Sequence, residues 1–252
     1  DAAGKLTVRD PIGSIKGNPI ELALDDHINE NNVFNANGNF TYDIIKGLVL
    51  DIGFGFSYGN AQYKEYGANS ISASPNATRQ STERLFFQNT NSLTYDKIFS
   101  EDHHLTLTGV LENQSFQTDM FQVKATGLQF PELKYDNISL ASALSANANK
   151  QKQTIVSYIA RANYSFREKY LLTASVRTDG SSKFRGDNRY STFPSVGAGW
   201  RLSEEGFMQD LGFFDNLKLR ASWGETGSQA IPVYGTVTTF YTSPFDAGTS
   251  FQ

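Results

Sequence analysis

The chain has 252 residues, a net charge of −4 and a pI near 5.4, so it lacks the basic surface that nucleic-acid binding requires. It contains no cysteine, which excludes disulfides, thiolate nucleophiles and cysteine-ligated metals. Phenylalanine and tyrosine are abundant, with 19 and 12 copies, and no apolar run reaches the roughly 20 residues of a membrane helix. Residues 1–9 show no basic and apolar signal sequence, so we expect the chain to begin inside a longer protein.

The clearest pattern in the sequence is the strict alternation across residues 48–58. Even positions carry large apolar side chains, whereas odd positions carry mostly small or polar ones. This alternation predicts a strand with one apolar and one polar face. Seven further segments alternate in the same way, and they are residues 34–42, 85–95, 105–112, 156–166, 170–177, 190–201 and 217–224.

The lengths of these segments and their connections predict a membrane barrel. The longer segments match the length of roughly 9 to 11 residues with which a tilted strand crosses a bilayer. Short connections alternate with long ones, as in outer-membrane barrels that have periplasmic turns and extracellular loops. The short connections are residues 43–47, 96–103, 167–169 and 202–216, in which Ser203, Glu204 and Glu205 could cap a helical turn; the long ones are 59–83, 114–153 and 179–189.

Aromatic residues on the apolar faces support the same fold class, which is all-β with antiparallel transmembrane strands. Tyrosine and tryptophan collect where strands leave the hydrocarbon, forming two girdles. One predicted girdle, at the short-turn end, contains Tyr42, Tyr95, Tyr164, Tyr170 and Trp200, and the other, at the long-loop end, contains Tyr58, Tyr190 and Trp223. Residues 231–242 predict a ninth strand, so we expect eight or nine strands and a sheet that does not close alone.

Several phrases in the second half resemble one known family. They are ARANYSFREKYLLTASVRTDGSSKF, STFPSVGAGWRLSEEGFM and NLKLRASWGETG, and GNPIEL and YDIIKGL resemble it less distinctively. These segments are similar to late barrel strands of the SusC/RagA family of TonB-dependent outer-membrane transporters. Gly227-Ser228 departs from the Gly-Asn that is common in the family, but it lies in a loop.

The resemblance implies a bacterial outer-membrane importer of oligosaccharides or peptides. It implies a barrel of about 22 strands with an N-terminal plug, of which residues 1–252 would supply part of the wall without the plug. It also implies a SusD-like surface lipoprotein as partner and contact with TonB through an N-terminal region outside this chain. Neither cofactor nor enzymatic activity is implied, and no substrate-binding residue is assigned.

Two histidines next to two acids raise the question of a metal or catalytic site. Glu101, Asp102, His103 and His104 are consecutive, but neighbours in a strand point to opposite faces and do not converge on one ion. His27 is the remaining histidine, and no serine and carboxylate can be tied to it as a triad. We therefore predict neither a metal site nor catalytic residues.

Four arginines fall on the polar faces of neighbouring predicted strands, where they could line a channel or pair with Glu112, Asp51 or a plug. They are Arg161, Arg177, Arg201 and Arg220. Asp179-Gly180-Ser181-Ser182 predicts a tight turn.

Residues 116–152 have few strand cues and include a helix-friendly stretch at 138–149. As an outer loop, this segment is the best candidate for contacting substrate or a lid protein. Its Phe121, Phe130 and Tyr135 could stack on sugar rings or pack the loop onto the barrel.

Two rival functions fit the same alternation. A passive, porin-like channel would lack the plug and the energy coupling. A soluble β-sheet protein that binds glycans would bury its apolar faces in a core instead of exposing them to lipid.

Overall fold

The computed structural model describes residue 23 and residues 25–68, 74–209 and 214–236. Within these residues, eight antiparallel strands form one sheet in chain order. Among the described residues, no helix is both long and apolar enough to cross a membrane. The strands are β1 (Asp26–Ile45), β2 (Leu48–Gly67), β3 (Asn76–Phe99), β4 (His103–Leu128), β5 (Ala141–Phe166), β6 (Tyr170–Ser181), β7 (Tyr190–Arg201) and β8 (Lys218–Gly224).

The register of the sheet confirms the predicted faces. Leu50 of β2 lies opposite Tyr42 and Leu93, whereas its neighbour Asp51 lies opposite Thr41 and Ser92. Because side chains alternate along a strand, all apolar positions share one side of the sheet, here called the apolar face, and the remainder form the polar face.

The apolar face is exposed rather than packed. Phe34, Phe54 and Leu219 have 61%, 52% and 55% of their surface exposed. A sheet in water buries such a face against a second layer, and none covers it within the described residues. The buried hydrophobic cluster of this part of the chain is small and consists of Tyr66, Ala77, Ala125, Leu128 and Tyr135.

The apolar band crosses the sheet diagonally. Leu48, the first apolar residue of β2, starts a row of paired residues that ends at Trp223, the last apolar residue of β8. Six strand spacings of about 4.8 Å thus traverse an apolar run of about 11 residues, which corresponds to strands tilted by roughly 45°. The row passes from Leu48 through Tyr95, Leu107, Ala162, Ala174 and Val196 to Trp223. Strands of a closed barrel must tilt in this way.

Two predicted long loops are wrong, because the strands extend far into them. β2 continues to Gly67 and β3 begins at Asn76, inside the predicted loop 59–83. β4 continues to Leu128 and β5 begins at Ala141, inside the predicted loop 114–153. The predicted helix-friendly stretch is a 3₁₀ turn, Ile138–Leu140, followed by strand. Past the apolar band polar residues occupy both faces of these hairpins, and the alternation that marks a half-apolar strand disappears.

The predicted tight turn at residues 179–182 is also wrong for its first three residues. Asp179, Gly180 and Ser181 are the last residues of β6, and the turn starts at Ser182. The ring of Tyr190 lies over Gly180, where an added Cβ atom would overlap it. Glycine is therefore required here by an aromatic neighbour in the sheet and not by turn geometry.

Two further predictions concern the end of the chain. The link 202–216 contains the expected helical turn, which is Gly206–Gln209 after a 3₁₀ turn at Leu202–Glu204. The predicted ninth strand is not seen in residues 231–236, which form a bend and a turn, and residues 237–242 lie outside the described part.

Candidate binding face

The polar face carries a connected hydrogen-bond network at the level of the apolar band. Glu112 of β4 accepts hydrogen bonds from Gln88 at 2.9 Å, Thr90 at 3.3 Å and Gln114 at 2.9 Å. These amides and hydroxyls come from two neighbouring strands and satisfy a carboxylate that is largely shielded from water. The network holds its side chains in fixed positions on this face.

Arg177 is tied to the same network. Its guanidinium donates to both carboxylate oxygens of Asp179, at 2.8 and 2.9 Å, and to the Ser157 hydroxyl at 3.1 Å. It also lies 4.0 Å from Glu112. Arg177 is therefore near Glu112, as predicted, but its closer ion pair is with Asp179.

All four predicted arginines lie on the polar face of β5 to β8. Arg161 is paired in register with Ser175, Arg201 with Lys218 and Arg220 with Gly199. Arg201 makes a 3.7 Å ion pair with the exposed Glu168, whereas Arg161 and Arg220 have no acidic partner within the described residues. Asp51 accepts a hydrogen bond from Thr41 at 2.9 Å and is not paired with an arginine there.

The three histidine side chains do not share one site. His103 Nδ1 lies 2.6 Å from the Tyr164 hydroxyl on the apolar face, and His104 Nε2 lies 2.9 Å from Asp96 on the polar face. His27 is near the outer end of β1, opposite Glu65. Within the part of the chain that the structure describes, no three or more His, Cys, Asp or Glu side chains are grouped in a way that could hold a metal ion.

The segment between β4 and β5 folds back over the outer hairpins instead of extending away from them. Lys134 reaches across to Asp26 of β1, with its Nζ 2.7 Å from Oδ2, and the Tyr135 hydroxyl donates to the same oxygen at 3.3 Å. Tyr135 is 8% exposed and belongs to the same buried hydrophobic cluster as Ala77 and Ala125. The register places these residues on the side of the sheet that continues the apolar face. Residues 130–140, here called the strap, therefore cover the outside of the hairpins.

Two of the three predicted loop aromatics have a different environment from Tyr135. Phe121 and Phe130 are 53% and 48% exposed. Phe121 lies in β4 with its side chain on the same side of the sheet as the strap. Phe121 therefore does not point to the polar face, and neither aromatic lines the polar-face pocket formed by β1, β2 and β3.

A small pocket on the polar face was not predicted from the sequence. It lies beyond the outer end of the apolar band, between β1, β2 and β3, and has a volume of about 290 Å³. Burial and the Glu65 carboxylate raise the pKa of Tyr63, so its hydroxyl stays protonated at neutral pH. The pocket is lined by Asn29, Asn31, Ala61, Tyr63, Gln80, Thr82 and Arg84. Alternation could not reveal it, because these strands are polar on both faces.

A comparison with protein-family models finds one match that spans nearly the whole chain. Residues 3–252 match the model described as "TonB dependent receptor-like, beta-barrel". The chain belongs to this family. The alternation of the strands, the exposed apolar face and the strand tilt are the properties expected of its barrel wall.

Curated relatives and solved structures agree with this family. TonB-dependent receptor P26 of Formosa agariphila is 31% identical over 89% of this chain. TonB-dependent receptor SusC of Bacteroides thetaiotaomicron is 50% identical over 32% of it. The chain spans 24% of the length of the first relative and 8% of the second.

Solved structures share the fold of this chain. The structure of the RagAB peptide importer in the "open-open" state matches 86% of this chain and 24% of its own chain with a TM-score of 0.78. A second RagAB structure, described as a peptide transporter, matches with a TM-score of 0.75. At 24% and 23% sequence identity these likenesses establish the barrel fold.

Proposed function

We propose that this chain forms part of the barrel wall of a bacterial outer-membrane transporter that imports nutrients such as oligosaccharides or peptides. One observation carries the proposal. This chain matches a TonB-dependent receptor barrel, and its sheet has an exposed apolar band on one side and an ordered polar network on the other. Lipid contacts the first face, and the second lines the path of the cargo.

Energy from TonB and a surface partner belong to the same proposal. Relatives named TonB-dependent receptor suggest coupling to TonB through parts of the protein outside this chain. SusC and RagAB suggest a SusD-like lipoprotein that closes the outer mouth as a lid. Nothing in this function requires a catalytic residue, and the wall contributes binding and passage.

The experiment that tests the function is uptake by the full-length protein in its own bacterium. We expect fractionation to place the protein in the outer membrane and deletion to abolish saturable uptake of its cargo. Removing TonB should abolish uptake to the same extent, because a plugged barrel opens only when TonB supplies the energy to move the plug.

Two outcomes would contradict the proposal. Uptake that persists without TonB would identify a passive, porin-like channel. A full-length protein that stays in the soluble fraction without detergent would exclude the membrane barrel. As a control, restoring the gene in the deletion strain should restore uptake and return the protein to the outer-membrane fraction.

A further inference from the structure

We propose that the pocket between β1, β2 and β3 binds one sugar ring of an oligosaccharide that carries an acidic group. The inference rests on the proposed import function and specifies the cargo class at the outer mouth of the same barrel. RagAB, whose fold this chain shares, is a peptide importer, so the cargo class is not given by the fold.

The position of the pocket places it on the cargo path. Asn31 is paired with Ala61, and Ala61 with Thr82, which puts all three on the polar face. Phe34, Tyr58 and Leu85 mark the outer end of the apolar band on the same strands. Because the pocket lies beyond that limit and faces the barrel interior, a ligand meets it before it enters the membrane region.

Neutral hydrogen-bonding groups dominate the lining. The side chains of Asn29 and Asn31 have no hydrogen-bond partner among the described residues. Gln80 is held in place, because it donates to the Thr82 hydroxyl at 3.2 Å and accepts from Gln122 at 2.9 Å. Amides offer a donor and an acceptor side by side, as do neighbouring hydroxyls on a sugar ring, so the two groups match in pairs.

The lining offers little that would recognise a peptide. Ala61 is its one aliphatic side chain, so there is no apolar pocket for peptide side chains. β2 and β3 are paired on both sides, and the lining side chains of β1 lie on the face of the sheet and not at its free edge, so a peptide strand could not pair with the sheet inside the pocket. A ligand in this pocket must be recognised through hydrogen bonds from side chains.

Arg84 and Tyr63 complete the recognition. Arg84 is exposed in the pocket and makes no ion pair with any described residue, so its guanidinium is free to bind a carboxylate or a sulfate in two-point geometry. The half-buried ring of Tyr63 offers a flat apolar surface beside the amides. Together these groups fit a hydroxyl-rich ring with one negative substituent.

The test is calorimetric binding to the full-length protein, purified in detergent with its lid partner. The probes are a uronate tetrasaccharide, a sulfated tetrasaccharide, neutral maltotetraose and an acidic octapeptide. We expect the acidic sugars to bind best, and whichever of the two binds more tightly identifies the anionic group. Arg84→Gln should weaken acidic sugars about tenfold and leave maltotetraose within about twofold. Gln80→Ala should weaken all sugars about fivefold.

Gln62→Ala is the matched control, since Gln62 lies at the same height on β2 but on the opposite face, where it bonds Ser81 at 2.7 Å. It should bind the sugars like the wild type. The inference fails if the octapeptide binds and the acidic sugars do not, if no acidic sugar binds, or if Arg84→Gln and Gln80→Ala bind like the control. Melting curves of each variant separate lost binding from lost fold.

The two proposals fail separately. If uptake does not need TonB while the pocket variants still lose sugar binding, the import mechanism is wrong and the subsite stands. If uptake needs TonB but the pocket variants bind normally, the subsite is wrong and the import function stands.

Discussion

At the scale of single residues, one ionic contact anchors the strap to the far side of the hairpins. Lys134 lies in the segment between β4 and β5, yet its ammonium group meets Asp26 of β1, 2.7 Å away. The hydrogen bond from Lys134 holds the pKa of Asp26 below its usual range, and the same contact raises the pKa of Lys134. Both shifts favour the charged pair, so the contact persists throughout the neutral range.

The signs of these shifts predict how the strap responds to pH and to mutation. A depressed carboxyl pKa gives stabilisation that is complete above the ordinary value of 3.8 and is lost as pH falls through the lower folded value. We expect hydrogen exchange of the strap amides, corrected for its intrinsic pH dependence, to stay equally slow from pH 5 to 8. Asp26→Asn should accelerate it about two- to fivefold at pH 7, because the pair is partly exposed.

Lys150→Gln provides the control for this prediction, because Lys150 pairs with Asp119 at 3.3 Å elsewhere on the outer hairpins. It should leave exchange in the strap unchanged. Equal acceleration by both variants, or none by Asp26→Asn, would show that Tyr135 packing alone holds the strap.

At the scale of elements, the sequence predicted the apolar parts of the strands and missed the polar parts. In β2, residues 48–58 alternate because one face meets lipid and the other meets water. Beyond Tyr58 the same strand carries Asn60, Gln62 and Lys64 on the former apolar side. There both faces are polar, and pairing with β1 and β3 keeps the chain extended, which no local pattern records.

The candidate site was missed for the same reason. Arg161, Arg177, Arg201 and Arg220 were found because each occupies a polar-face position of a strand whose alternation is visible in the sequence. Gln80 lies inside the predicted loop 59–83, and Arg84 lies between that loop and the predicted strand 85–95, so no alternation assigned either residue a face. Only the register, which depends on neighbours distant in sequence, brings them together with Asn31 and Tyr63.

The two faces of the strands can be tested by spin labelling at introduced cysteines, because residues 1–252 contribute no native cysteine to the background. Spin labels at Leu50, Phe54, Ala174 and Val196 of the full-length protein in bilayers should be accessible to oxygen dissolved in lipid and shielded from water-soluble nickel. Labels at Ser175 and Ser195, which bond each other on the polar face at 2.7 Å, are the matched controls and should show less oxygen contact. Four labels that report a dry protein interior would remove the basis for the membrane barrel.

At the scale of the whole molecule, the described sheet is open. β1 is paired with β2 and β8 with β7, and neither end strand has a second partner within the described residues. Each free edge presents unpaired N–H and C=O groups at the level of the apolar band. In hydrocarbon each such group costs several kcal/mol, because no water is available to satisfy it.

This cost predicts that residues 1–252 do not form a stable membrane protein by themselves. We expect the isolated chain, refolded with vesicles, to aggregate or to remain open to protease on all strands. The full-length protein should instead insert, because further strands pair both edges. It should migrate in gel electrophoresis as a compact, heat-sensitive band. Its strands β1 to β8 should be protected from protease. A rival outcome is that the isolated chain inserts as a protected, monomeric unit. β1 and β8 would then have to find partners within the chain, and the tilted sheet would close as a small barrel rather than form part of a larger wall.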